Sequence, residues 1–127
     1  MRRPSSIAEV AAWTKEDGGQ FGYHLFDFLD QFYLERRAAM VAEEPSRLSG
    51  LVPEGHVKDA YLAAVAVSLS RLLGAPPPRW AWQEDRKLRE PWFASPGAAV
   101  RATLLAESPT PFRERNLFVS ENALSRA

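Results

Sequence analysis

The sequence predicts an all-α fold: one compact domain over residues 1–127, built of about five helices, with a connector rich in proline and tryptophan and a short C-terminal tail. Apolar residues recur at helical spacing in several segments, and proline or glycine separates those segments. A chain of 127 residues that is 46% hydrophobic and 11% aromatic has enough apolar surface for one packed core. We therefore expect a helical bundle with little or no strand.

The first two helices have clear sequence signals. Ser6 and Glu9 match a capping box, in which the Ser6 side chain accepts from the Glu9 backbone N–H and the Glu9 carboxylate reaches back to the cap. A helix over residues 7–16 follows, with Trp13 as an expected core anchor, and a Gly-Gly pair ends it. Apolar residues at helical spacing then predict a second, amphipathic helix that forms the main core column: Phe21, Leu25, Phe28, Leu29, Phe32 and Tyr33.

The middle of the chain predicts a central helix followed by the connector. Residues 54–73 have a broad apolar face rich in alanine, and Gly74 stands where a C-terminal cap is expected. Three consecutive prolines at 76–78 hold the chain extended, because each ring fixes φ. A short helix over residues 81–89 is expected to end before Pro91.

The next helix is expected to begin at Ser95, an N-cap followed by proline, and to cover residues 97–107. Its Val100, Leu104 and Leu105 are expected to point into the core.

The chain end places Leu117, Phe118 and Val119 between two charged clusters. One helical turn is expected over residues 112–116 and a short helix over residues 121–125. Leaving such apolar side chains in water is unfavourable, since full burial of each is worth about 1.5 to 3 kcal/mol. Either this tail folds back and closes the domain's own core, or it docks on another chain.

Composition excludes several classes of protein. The chain has no cysteine, so disulfides and cysteine-ligated metals are excluded. Its 16 basic and 16 acidic residues give zero net charge, which removes the general attraction on which non-specific nucleic-acid binding depends. The start has no long apolar run of a secretory signal, and the longest apolar run, residues 60–69, is too short to span a bilayer. We expect a cytoplasmic protein without membrane partners.

Two histidine and carboxylate pairs are the only candidates for a metal site. His24 with Asp27, and His56 with Asp59, have the one-turn spacing of ligands on a helix. Helical carboxylate sites add further Glu and His ligands, and this chain has two histidines in all. We therefore expect local hydrogen bonds and neither a metal nor a cofactor. Serine nucleophile motifs and phosphate-binding glycine loops are absent, so a non-enzymatic protein is predicted.

Tryptophan and arginine alternate in the connector, which favours either of two roles. Trp80, Trp82 and Trp92 resemble a platform for stacking bases, but neighbouring acidic residues cancel most of the basic charge. Tryptophans beside prolines commonly clamp a loop on a core, and they are also frequent anchors of protein interfaces. The candidate partner-binding residues are these three tryptophans together with a docking end formed by Arg113, Arg115, Leu117 and Phe118.

Several segments carry a resemblance to a known group of sequences. They are IAEVAAW near the start, VKDAYLAAVA at 57–66, PWFASPG at 91–97 and LAESPTPFRERNLFVSENALSRA at 105–127. With them the chain resembles a set of small uncharacterised bacterial proteins from high-GC genomes. The resemblance implies a neighbour similar to nucleotidyltransferases, in loci that resemble toxin and antitoxin pairs. It implies no catalytic residues.

The sequence thus predicts a non-catalytic component that docks on a co-encoded protein, as an antitoxin-like or adaptor protein, with homo-oligomerisation as a further option. Two alternatives stay open. A small DNA-binding regulator would use Arg2, Arg3 and the basic residues at 79–89, and a metal-dependent helical enzyme would use the two histidine and carboxylate pairs.

Overall fold

The fold was obtained as a computed structural model that describes residues 2–126. Within that range the chain is mostly helical, as predicted, with one small parallel sheet. The elements are α1 (Ile7–Asp17), α2 (Phe21–Glu35), α3 (Gly55–Leu72), β1 (Trp92–Phe93), α4 (Ala98–Glu107), α5 (Thr110–Arg113) and β2 (Leu117–Phe118). Three 3₁₀ turns occupy Ala38–Val41, Arg79–Trp82 and Glu84–Arg86.

The cap of α1 follows the sequence signal in part. Ser6 Oγ accepts from the Glu9 N–H at 3.2 Å, as a capping box requires. The Glu9 carboxylate instead accepts from the backbone N–H and the hydroxyl of Ser5, at 2.8 and 2.7 Å. Trp13 is half-buried at the edge of the core and not inside it, where it contacts Arg2 and the ring of His24.

α3 is the central element, because 12 of its 18 residues are buried and they lie on nearly every side of the helix. It packs against α5 and all three 3₁₀ turns. At its start the backbone approaches the carbonyl of Leu48 so closely that a Cβ on Gly55 would lie 2.0 Å from that oxygen. At its end Gly74 takes a left-handed conformation with φ of 69°, as the sequence predicts for the cap.

The C-terminal tail folds back on its own domain. β2 pairs with β1 in parallel, with Trp92 opposite Leu117 and Phe93 opposite Phe118. Leu117, Phe118 and Val119 are all buried. The free edge of β2 is closed by Ser108, whose hydroxyl donates to the Leu117 carbonyl at 3.0 Å and accepts from the Val119 N–H at 3.2 Å. The first of the two alternatives for the tail therefore describes this structure.

Three predicted elements are corrected. The helix expected over residues 81–89 is replaced by two 3₁₀ turns, because Trp80 and Arg86 are both drawn into the core and Gln83 between them is extended. In α4 only Leu104 is buried, whereas Val100 and Leu105 are 43% and 50% exposed, and the N-cap is Gly97 instead of Ser95.

The third correction concerns the chain end. The helix expected over residues 121–125 is only a series of turns in the structure. No helix within residues 2–126 combines the length and the hydropathy needed to cross a membrane.

We expect Gly55→Ala to destabilise the domain by about 1–3 kcal/mol, because its methyl group would overlap the Leu48 carbonyl and force α3 away from the preceding loop. Gly22→Ala is the matched control, since a Cβ at that position in α2 meets nothing within 4 Å and alanine is favoured over glycine in a helix. Urea unfolding of both variants measures the difference. Equal stability of the two would show that the loop before α3 yields freely.

Candidate binding surface

Trp80 is a structural clamp. It is 6% exposed, and its indole N–H donates to the Val41 carbonyl at 3.1 Å. The guanidinium of Arg86 lies 4.8 Å from its ring and donates to the carbonyls of Asp59 and Pro45 at 3.0 and 2.5 Å. Burial lowers the pKa of the Arg86 guanidinium. This tryptophan holds the connector against α3 and has little surface left for a partner.

A second buried arginine fixes the other side of the same turn. Arg115 is fully buried and donates to the carbonyls of Pro111 and Ala81 at 2.8 and 2.7 Å. Trp82, which is 42% exposed, covers it with its ring centroid 5.0 Å from the guanidinium carbon. Burial lowers the pKa of the Arg115 guanidinium. Arg115 thus joins the tail to the connector from inside.

The predicted docking end is largely interior. Leu117 and Phe118 are buried in and around β2, and Arg115 lies in the core. Arg113 is exposed, yet its guanidinium donates to the carbonyls of Ala106 and Ser108 at 3.3 and 2.9 Å. Among the seven sequence-predicted binding residues, those that reach solvent are Trp82, Trp92 and Arg113.

The two histidine and carboxylate pairs do not converge. His24 contacts Asp17 at 2.5 Å, and His56 is exposed at the start of α3. Asp59 is buried and accepts from the backbone N–H groups of Leu48 and Ser49 at 2.7 and 3.1 Å. Asp27 is half-buried on α2. Throughout residues 2–126, no three His, Cys, Asp or Glu side chains form a group able to hold a metal ion.

The basic stretch at 79–89 is also divided by the fold. Arg86 is in the core, which leaves Arg79, Lys87 and Arg89 with surface beside acidic neighbours. Arg47 links the acidic Asp85 to Glu44 by ion pairs. The surface of the connector is therefore of mixed charge.

Around Trp92 the structure forms an apolar slot of about 200 Å³. The slot lies where α2, the first turns of α3 and β1 meet, and it is open to solvent. We call this recess the aromatic slot. The residues that line it are Phe21, Gly22, Leu25, Phe26, Glu54, Val57, Lys58, Tyr61 and Trp92.

The walls of the aromatic slot are held in place by specific contacts. The Trp92 indole N–H donates to the Glu54 carboxylate at 3.1 Å. Tyr61 packs edge-to-face against Phe21 and against Phe112, with ring centroids 6.1 and 5.0 Å apart. Burial raises the pKa of the Tyr61 hydroxyl to about 12, so this group stays protonated well above neutral pH. The slot is therefore a preformed apolar site.

A second, polar cleft of about 480 Å³ adjoins the aromatic slot, and Val57 and Trp92 are the wall between them. It is lined by His56, Asp85, Lys87, Leu88, Arg89, Glu90 and Pro91 as well. Charges of both signs surround this cleft, so it has no strong preference for ligands of one charge.

The two charged residues of the aromatic slot already have partners. The Glu54 carboxylate accepts from the Trp92 indole and the Lys58 ammonium donates to the Pro53 carbonyl. The slot is suited to burial of an apolar group.

Sequence reasoning selected Trp92 but missed the residues around it. The pattern assigns Phe21 and Leu25 to the core, and it gives no signal that Phe26 of α2 shares a site with Lys58 and Tyr61 of α3. No protein-family model matches this chain, and neither do curated proteins or solved structures.

We expect Arg115→Met to lower the free energy of unfolding by about 2 kcal/mol or more, because the carbonyls of Pro111 and Ala81 would lose their donors inside the core. Arg79→Met, at an exposed arginine, is the control and should change stability by less than about 0.5 kcal/mol. Chemical unfolding followed by circular dichroism compares them. A small effect of Arg115→Met would mean that water or a shifted side chain replaces the guanidinium.

Proposed function

We propose that this protein is a non-catalytic binding component that holds a partner protein through the aromatic slot. The observation that carries the proposal is the slot itself, an open apolar recess of about 200 Å³ with four aromatic side chains among its lining residues. Aromatic side chains contribute large contact area with little loss of side-chain entropy, and deep apolar recesses are where interface anchors bind. A recess of this size accepts one large apolar side chain of the partner.

The proposed partner is the co-encoded protein that the sequence resemblance implies, similar to nucleotidyltransferases. The role is then antitoxin-like or that of an adaptor in the bacterial cytoplasm, by occlusion or assembly. Trp92 replaces the tail as the central anchor, because Arg115, Leu117 and Phe118 already serve the core.

Partner binding should weaken when a larger side chain of the protein itself occupies the aromatic slot. Gly22 lines the slot, and a Cβ there meets nothing within 4 Å. Gly22→Leu places a side chain in this space while improving helix propensity, so it should keep the fold and weaken partner binding about tenfold or more. The affinity of the purified co-encoded protein is measured by calorimetry for the wild type and the variant.

Gly19→Leu is the matched control, because it adds the same side chain outside the slot at a position with equally open space. It should bind as the wild type does. If Gly22→Leu is folded and binds as tightly as Gly19→Leu, the slot does not hold the partner and the proposal is wrong.

A further inference from the structure

The last residues of the described chain lie across the outer face of α2. The Tyr33 hydroxyl donates to the Leu124 carbonyl at 2.9 Å. The guanidinium of Arg126 donates to both carboxylate oxygens of Asp30, at 3.0 and 3.3 Å, and its carbon lies 4.7 Å from the ring centroid of Phe26. We call residues 120–126 the C-terminal strap.

The strap occupies a surface that is continuous with the aromatic slot. Phe26 both lines the slot and supports Arg126, so one ring belongs to the two sites. Further apolar surface lies along the same helix, since Phe26, Tyr23 and Leu34 are 43%, 58% and 74% exposed even with the strap in place. The exposed face of α2 therefore continues from the slot to the place where Arg126 binds Phe26 and Asp30.

The contacts of Arg126 define what this position recognises. A planar guanidinium stacks on an aromatic ring and reaches both oxygens of a carboxylate at once, and lysine does neither in the same way. Hydrogen bonds from Arg126 hold the pKa of Asp30 below its usual value, and Asp27 adds negative charge nearby. The one further cation acting on Asp30 is Arg3, at longer range, within the described residues. Phe26 and Asp30 thus form a site for arginine.

The contacts that hold the strap on α2 are weak enough for another segment to replace them. Its ion pair is about one third exposed on each side, and pairs of that kind contribute little to stability because water and salt screen them. Ala123 and Leu124 are only partly buried against the core. A segment with a better fit to the slot can therefore displace the strap without unfolding the domain.

We propose that the partner segment whose apolar side chain enters the aromatic slot also carries an arginine, which replaces Arg126 on Phe26 and Asp30. The C-terminal strap is then an intramolecular competitor that lowers the affinity for this arginine-bearing segment. This inference rests on the proposed function, because it assumes that the slot holds a protein segment. We infer an arginine as the occupant from charge and shape, because the chain's own Arg126 already binds the ring of Phe26 and the carboxylate of Asp30.

The arginine site is tested directly with a peptide probe, acetyl-SENALSR-amide, which reproduces the strap. Backbone amide shifts of residues 23–34 report its binding in NMR titrations. The full chain with Arg126→Ala should bind the probe about fivefold more tightly than the wild type, because its own arginine no longer competes. Adding Asp30→Asn to that chain should remove binding, and so should alanine in place of the probe's arginine. A lysine probe should bind more weakly than the arginine probe.

Arg79→Ala, which removes an exposed arginine of the Arg79–Trp82 turn, is the control and should leave probe binding at the wild-type level. Binding of the probe that survives Asp30→Asn, or that is unchanged by Arg126→Ala, would overturn the assignment. Light scattering on the wild type gives a further check. A dimer that Arg126→Ala abolishes would mean that a second copy supplies the arginine, and it would overturn the proposal of a different partner.

The same variants separate this inference from the proposed function when the co-encoded partner is titrated. Arg126→Ala should raise the partner's affinity several-fold and Asp30→Asn should lower it. If Gly22→Leu weakens the complex while both of these leave it unchanged, the slot holds the partner and the arginine inference is wrong. If Asp30→Asn weakens the complex and Gly22→Leu does not, the partner's arginine binds Asp30 without an apolar side chain in the slot, and the slot proposal is wrong.

Discussion

Close packing around α3 is the constraint on which the other elements depend. This helix is buried on nearly every side, so each neighbouring segment is positioned by the space that its small side chains leave. Gly55 lets the preceding loop approach to contact distance, and the buried Asp59 carboxylate then accepts from the Leu48 and Ser49 N–H groups of that loop. The start of α3 is thereby fixed, and with it one wall of the aromatic slot.

Two buried arginines, Arg86 and Arg115, stabilise the segments that lack regular secondary structure. The connector and the tail contain few backbone ladders, so their carbonyls need donors from elsewhere. From the connector, Arg86 donates to the carbonyls of Pro45 and Asp59, and from the tail side Arg115 donates to those of Ala81 and Pro111. Trp80 and Trp82 cover the guanidinium faces. Burying a charge is unfavourable unless it is hydrogen-bonded, which explains why each guanidinium donates to two backbone carbonyls.

This arrangement divides the aromatic residues into two groups. Those close to the arginines stabilise the connector, whereas Trp92, six residues after Arg86, lies in β1 and is held by Glu54 at the start of α3. The parallel pairing of β1 with β2 needs the tail in the core. The binding surface and the buried tail are therefore linked. β2 of the tail, which the sequence offered as a docking end, pairs with β1 and so positions Trp92 at the surface.

The sequence by itself determined the three long helices α1, α2 and α3. The cap at Ser6, the aromatic column of α2, the alanine-rich α3 and the cap at Gly74 follow from hydrogen bonding, side-chain periodicity and the conformational freedom of glycine, all of which act over a few residues. Whether Leu117 and Phe118 faced a partner or the core, and whether residues 81–89 formed a helix, was decided only in the tertiary structure. Burial of Arg86 and Arg115 outweighs local helix propensity there, because the carbonyls that accept from them come from segments distant in sequence. The aromatic slot has the same origin, since its walls come from three segments that only folding brings together.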